Sequence, residues 1–73
     1  MSDAAAMLSI FLNGAAHSVP QGCTVAALLE SLGLRREGVA VAVNMQVVPR
    51  GEHGLRVLVE GERVEVVQAV GGG

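Results

Sequence analysis

The residues of this chain that could do chemistry are few, and the most unusual are the last three, Gly71, Gly72 and Gly73. A helix uses one glycine as a C-cap and a hairpin one or two in a turn, so three final glycines match neither use. Because glycine has no Cβ, such a segment can enter a narrow channel that any side chain would block. We therefore expect an extended, flexible tail that delivers the carboxylate of Gly73 to another protein's active site. A frayed end or a cloning linker is the alternative interpretation.

Three side chains elsewhere could also take part in chemistry. Cys23 precedes a predicted helix, where the helix dipole can lower a thiol pKa, but no base or ligand residue accompanies it. We interpret it as a small structural residue. His17 and His53 lie in unrelated segments without metal-ligand spacing, and we expect them on the surface or in turns. The sequence predicts no metal site and no intrinsic catalytic residue.

Composition limits the function classes that remain. The chain has 73 residues, of which 51% are apolar and one is aromatic, and its formal net charge is −2. A domain of this size rarely encloses a deep active site, which favours a carrier, modifier or binding module over an enzyme. Without stacking aromatics or a basic cluster, nucleic-acid binding has little support. No apolar run is long enough to span a membrane and no signal-peptide pattern is present, so we expect a cytoplasmic protein.

The chain divides into three predicted parts. Residues 1–6 show no pattern beyond small side chains, and we expect a disordered lead. Residues 7–70 carry alternating and helical patterns and form one domain, and residues 71–73 form the reactive tail. The single cysteine excludes an internal disulfide and is consistent with a reducing compartment.

The first half of the domain predicts a hairpin and a helix. Apolar residues alternate with others from Met7 to Leu12, and Asn13-Gly14 is the dipeptide that a type I′ hairpin turn favours. A second strand follows over Ala15 to Val19. Thr24 then predicts a helix N-cap, and apolar residues at helical spacing give the helix one buried stripe: Val25, Leu28, Leu29 and Leu32.

The second half predicts three strands. Alternation at Val39, Val41 and Val43 indicates a third strand, and a short fourth one over Val47 to Pro49 is limited to an edge by its proline. Residues 50–54 are predicted as a loop, 55–59 as a short apolar element and 60–62 as a turn. The final strand, Arg63 to Val70, is apolar on both faces, which is typical of a central strand.

This order allows the last strand to lie parallel beside the first, with the helix crossing one face. The predicted fold class is α+β, a ubiquitin-like β-grasp with a mixed sheet and one main helix. Ile10, Leu12, Val64 and Val66 then face the helix. Three apolar residues near the tail face away and predict a partner-docking patch, unless the N-terminal lead or a loop covers it: Phe11, Val67 and Ala69.

Several short motifs of the domain are each weak alone, and their combination is specific. They are Leu12-Asn13-Gly14, Thr24-Val25 with Leu28-Leu29 and Leu32, Val41-Ala42-Val43-Asn44, Val47-Val48-Pro49-Arg50 and Gly61-Glu62-Arg63-Val64-Glu65 running to the glycines. Through this combination the domain from about Met7 onward resembles the ThiS family, the bacterial sulfur carriers of thiazole (thiamine) biosynthesis. The departures are His53, where the family commonly has an aromatic residue, and a third glycine in a tail that needs two.

The resemblance implies a sulfur carrier that is a protein co-substrate rather than an enzyme. A ThiF-like, E1-like adenylyltransferase would use ATP to convert the Gly73 carboxylate into an acyl-adenylate, and a persulfide donor would convert that into a thiocarboxylate. The sulfur acceptor would be the intermediate that a ThiG-like thiazole synthase builds on deoxyxylulose phosphate. The carrier itself would bind no cofactor. Two alternatives stay open: a carrier like the small subunit of molybdopterin synthase, and a ubiquitin-like modifier or interaction module.

Overall fold

The computed structural model describes residues 6–35 and 37–68 as a five-stranded sheet with one helix. In chain order the elements are β1 (Met7–Leu12), β2 (Ala15–Pro20), α1 (Val25–Ser31), β3 (Val39–Val43), β4 (Gln46–Val48), a 3₁₀ turn (Arg50–Glu52) and β5 (Arg63–Gln68). The strand order across the sheet is β2-β1-β5-β3-β4. The last strand therefore lies at the centre, as its two-sided apolar pattern predicts.

The β1–β2 hairpin forms where the sequence predicts it. Leu12 pairs with Ala15, so the loop contains only Asn13 and Gly14. Their φ angles are 50° and 86°, the left-handed values that a type I′ turn requires and that Asn and Gly adopt most readily. The second strand continues one residue beyond the prediction, to Pro20.

The helix also begins and ends as predicted. The Thr24 hydroxyl accepts a hydrogen bond from the Ala27 N–H at 3.1 Å and thereby satisfies one of the free N–H groups of the first turn. Gly33, at φ 75°, follows the last turn, and the Leu34 N–H donates to the Leu29 carbonyl. Leu28 and Leu29 are buried against the sheet.

The strand β5 joins the two halves of the domain. It pairs in parallel with β1, where Leu12 lies opposite Val64, and antiparallel with β3, where Val41 lies opposite Val66. A parallel pair needs a crossover connection, and the segment containing α1 supplies it. The core between sheet and helix is aliphatic except for one thiol: Ile10, Val19, Cys23, Val25, Leu28, Leu29, Val41, Val43, Val48, Leu58 and Val64.

The segment between β4 and β5 differs from the prediction. The expected loop at 50–54 contains a 3₁₀ turn, and the expected element at 55–59 is not a strand but makes one isolated bridge, between Thr24 and Val57. Of residues 55–59, Leu58 alone enters the core, while Leu55 and Val59 stay exposed. An apolar pattern over five residues does not distinguish a strand from a loop anchored by one side chain.

A polar network closes this segment against the start of β5. Glu62 is 7% exposed, and its carboxylate accepts hydrogen bonds from Arg56 Nη2 at 2.7 Å, Asn44 Nδ2 at 3.2 Å and the Val59 N–H at 2.8 Å. Asn44 also accepts a hydrogen bond from the Arg63 N–H at 3.0 Å. Burial of the carboxylate is tolerated because charged and neutral donors satisfy it.

We expect Glu62→Ala to lower the free energy of unfolding by about 2–3 kcal/mol, because it leaves three donors without their acceptor. The measurement is urea unfolding followed by circular dichroism. The matched control is Glu30→Ala on the exposed face of α1, which should change stability by less than about 0.5 kcal/mol. Equal losses for the two variants would contradict a stabilising role for the network.

Cys23 lies in the core, 7% exposed, and burial raises the pKa of its thiol. Since the thiolate is the reactive form, the native protein should be alkylated by iodoacetamide slowly at pH 7–8 and rapidly in urea. The control is Ser18→Cys in a Cys23→Ser background, which places a thiol at an exposed position of β2. Alkylation of native Cys23 as fast as the control would show that the thiol is accessible and reactive.

Candidate functional site

Two of the three predicted docking residues, Phe11 and Val67, lie on the sheet face opposite the helix. Phe11 on β1 is 46% exposed and Val67 on β5 is 63% exposed, whereas Ile10 on β1 and Val64 on β5 are buried. This confirms the predicted strand faces. Ala69 lies outside the described residues, and the docking role of all three remains a prediction.

The strand register separates Phe11 from Val67. Phe11 lies opposite Arg63, and Val67 lies opposite Ala40 on the other neighbouring strand. Four residues of β5 span about 13 Å, and Glu65 occupies the same face between them. The outward surface therefore combines apolar and charged side chains. The alternation of side chains along β5 places Arg63 and Glu65 on this outward face, but the predicted docking patch contained only apolar residues.

The outward face continues over β3 and β4. Ala42 lies opposite Glu65 on one side and opposite Val47 on the other, and Val47 is 76% exposed. Ala40 and Ala42 on β3 carry only methyl side chains beside β5. A face with exposed apolar side chains suits contact with another protein.

A groove on this face lies beside the β1–β2 turn. Its volume is about 310 Å³, and its lining residues are Phe11, Gly14, Arg63, Val64 and Glu65. The Phe11 ring supplies an apolar wall, while Arg63 and Glu65 supply one charge of each sign. This combination fits a protruding side chain with an apolar body and a polar end, and Phe11 is the natural anchor for it.

The strand β5 extends past the end of β1 toward the tail. Leu12, the last residue of β1, lies opposite Val64, and β5 continues to Gln68 beside β3, where Gln68 lies opposite Val39. The predicted reactive terminus, Gly73, and the predicted threading residues, Gly71 and Gly72, lie outside the described residues, so their roles stay predictions.

The two histidines have different environments. His17 is partly buried on β2. His53 lies in a turn, which is one of the two expected positions, but it is 1% exposed and not on the surface. The 3₁₀ turn directs its ring inward, where Nε2 donates to the Val48 carbonyl at 3.1 Å and Nδ1 has no protein partner. The ring thereby fills core space as an apolar aromatic would.

The described part of the chain contains neither a candidate metal site nor a candidate membrane-spanning helix. Residues 6–35 and 37–68 contain no group of three or more His, Cys, Asp or Glu side chains placed to hold a metal ion. The helix among them, α1, has seven residues, and no described helix is long and apolar enough to cross a membrane.

Comparison with known proteins gives consistent results. The family model described as "ThiS family" matches residues 10–73. The sulfur carrier protein ThiS of Escherichia coli is 35% identical over 66 residues, which cover 90% of this chain and 100% of that protein. A thiazole synthase of Magnetococcus marinus is 46% identical over 66 residues, and a thiazole synthase of Paramagnetospirillum magneticum is 32% identical over 66 residues. The chain spans about a fifth of the length of these two relatives.

A solved structure agrees with the fold. The crystal structure of the thiamine biosynthesis protein ThiS from Geobacter metallireducens superposes with a TM-score of 0.78 at 28% identity, covering 90% of this chain and all of that one. The ubiquitin-like β-grasp expected from the element order is thus confirmed. Since the family model takes in nearly the whole domain, this chain belongs to the ThiS family.

Proposed function

We propose that this protein is a sulfur carrier of thiamine biosynthesis whose reactive group is the carboxylate of Gly73. The observation that carries the proposal is the similarity to the E. coli sulfur carrier ThiS, which extends over that protein's full length. It is supported by the topology, because the central strand β5 leads directly toward the three glycines.

The chemistry begins with activation of a poor electrophile. An ionised carboxylate does not accept a sulfur nucleophile, so a carboxylate oxygen of Gly73 attacks the α-phosphorus of ATP and pyrophosphate leaves. A persulfide sulfur then attacks the carbonyl carbon of the acyl-adenylate and AMP leaves. A second thiol cleaves the resulting S–S bond and releases the thiocarboxylate, whose sulfur is a soft anionic nucleophile near neutral pH.

The partners supply the catalysis in this scheme. The described residues bring together no nucleophile with a base, and Cys23, the only thiol, is buried with a raised pKa. In this proposal the protein acts as a co-substrate. An E1-like adenylyltransferase of the ThiF type activates Gly73, and Gly71 and Gly72 pass through its channel because they carry no side chain that would block it.

The acceptor of the sulfur is an intermediate that is built by a thiazole synthase of the ThiG type. Two relatives of about five times this chain's length are named thiazole synthase and contain a segment similar to it. A segment similar to this chain and a thiazole synthase are joined in one chain in these relatives, and such a pair can bind each other as separate proteins elsewhere. The exposed sheet face with the groove at Phe11 is the surface through which the carrier docks.

Adding one alanine after Gly73 should abolish thiocarboxylate formation while leaving the fold intact. The addition converts the Gly73 carboxylate into an amide and moves the free carboxyl by up to ~3.6 Å. The measurement is intact-mass spectrometry after incubation with the adenylyltransferase, ATP and a persulfide donor. Adding the alanine at the N-terminus is the control and should permit the oxygen-to-sulfur exchange. Sulfur on the C-terminally extended chain would refute the terminal-carboxylate mechanism.

Phe11→Glu should weaken binding to the adenylyltransferase by about tenfold or more, because it introduces a charge into an apolar contact. Ala27→Glu is the matched control, since it adds the same charge on the exposed face of α1, away from the groove. Both variants should keep the native circular dichroism spectrum. The measurement is a calorimetric titration, and equal affinity for the two variants would remove Phe11 from the docking surface.

A further inference from the structure

Asn13 makes contacts that its place in a hairpin turn does not require. Its Oδ1 accepts a hydrogen bond from the Val66 N–H at 2.8 Å, and its Nδ2 donates to the Val66 carbonyl at 3.2 Å. Its own N–H donates to the Val64 carbonyl at 2.8 Å. One side chain thus pairs with both backbone groups of a residue 53 positions away.

These hydrogen bonds continue the pairing between β1 and β5 beyond the last residue of β1. The parallel pairs of β1 with β5 are Phe11 with Arg63 and Leu12 with Val64. At Asn13 the backbone turns away into the hairpin, at φ 50°. The side-chain amide then takes the place of the missing strand residue opposite Val66. It presents the same two groups, one acceptor and one donor, that a peptide unit would present.

The turn alone does not explain the choice of asparagine. Glycine and aspartate also adopt the left-handed conformation that this turn position needs. Aspartate accepts from the Val66 N–H but cannot donate to the Val66 carbonyl, and glycine can do neither. Only asparagine of these three satisfies the turn and both backbone groups of β5.

Val66 lies two residues before Gln68, where the described part of β5 ends beside β3. Gly73 is about seven positions beyond Val66, and a chain of that length reaches at most about 25 Å in any conformation. The position and direction of β5 at Val66 therefore set the volume that the Gly73 carboxylate can reach. Fewer unanchored residues also mean a higher effective concentration of the carboxylate at a fixed target.

We propose that Asn13 is a positioning residue for the tail: its side chain anchors β5 at Val66 and so directs the Gly73 carboxylate toward the adenylyltransferase channel. This inference rests on the proposed function, because it assumes that Gly73 is the reacting group. Asn13 acts through β5 and does not touch the reacting atoms.

The test compares wild type with Asn13→Gly and Asn13→Asp. Both variants preserve the turn, and only the side-chain bonds change. Amide exchange at Val66, followed by nuclear magnetic resonance, should become about tenfold faster in Asn13→Gly, with Asn13→Asp in between. In steady-state adenylation, kcat should fall about tenfold for Asn13→Gly and less for Asn13→Asp, while KM for the carrier stays within about twofold since the docking face is unchanged.

Asn44→Gly is the matched control. Asn44 also lies in a two-residue turn at positive φ, 52°, and its side chain bonds to the Arg63 N–H, but at the start of β5 rather than near its exit. This variant should lower stability and leave kcat of the folded protein unchanged. A purely local turn role for Asn13 predicts that glycine matches or exceeds wild type.

The outcomes separate the inference from the function on which it rests. If wild type forms the adenylate and Asn13→Gly reacts with the same kcat, the positioning role is overturned and the proposed function stands. If wild type forms no adenylate with an active adenylyltransferase, the proposed function fails, and the inference fails with it. A kcat that falls in the order wild type, Asn13→Asp, Asn13→Gly, with folded fractions equal by circular dichroism, supports the positioning role.

Discussion

The pairing of the last strand between the first and the third is the constraint on which the rest of the structure depends. β5 forms a parallel pair with β1 and an antiparallel pair with β3, so it joins segments that are distant in the chain. The parallel pair requires a crossover, which places α1 over one face of the sheet and creates the core. The same pairing holds β5, the last described element of the chain, on both sides.

Two asparagines reinforce β5 from opposite sides. Asn13 bonds to Val66 on the β1 side, and Asn44 bonds to Arg63 on the β3 side. Both occupy hairpin turns at positive φ, where asparagine is one of the few residues besides glycine that is readily accommodated. In each case a residue chosen for local backbone geometry also supplies a long-range hydrogen bond. The buried carboxylate of Glu62 completes the anchoring at the start of the strand.

The two faces of the sheet differ in burial: the inner face forms the core, and the outer face carries the proposed docking surface. The inner face is aliphatic and packs against α1, which gives a small domain its core without any large aromatic residue. The outer face keeps Phe11 and Val67 exposed, with Arg63 and Glu65 on the same surface. Exposed apolar side chains add little to the stability of an isolated domain, so their placement here is consistent with a surface that partners cover.

The sequence by itself determined the local elements and the strand faces, and the chemistry proposed for the terminal glycines also rests on it. Asn13-Gly14 predicted the turn, Thr24 predicted the helix start, and alternation predicted the strands, because each signal acts within a few residues. Only the tertiary structure decided how distant residues meet. It buried His53 and Glu62, reduced an expected apolar element to one bridge, and brought the Asn13 side chain against β5. These outcomes depend on strand order and register, and pairing across fifty residues leaves no periodic trace in the chain.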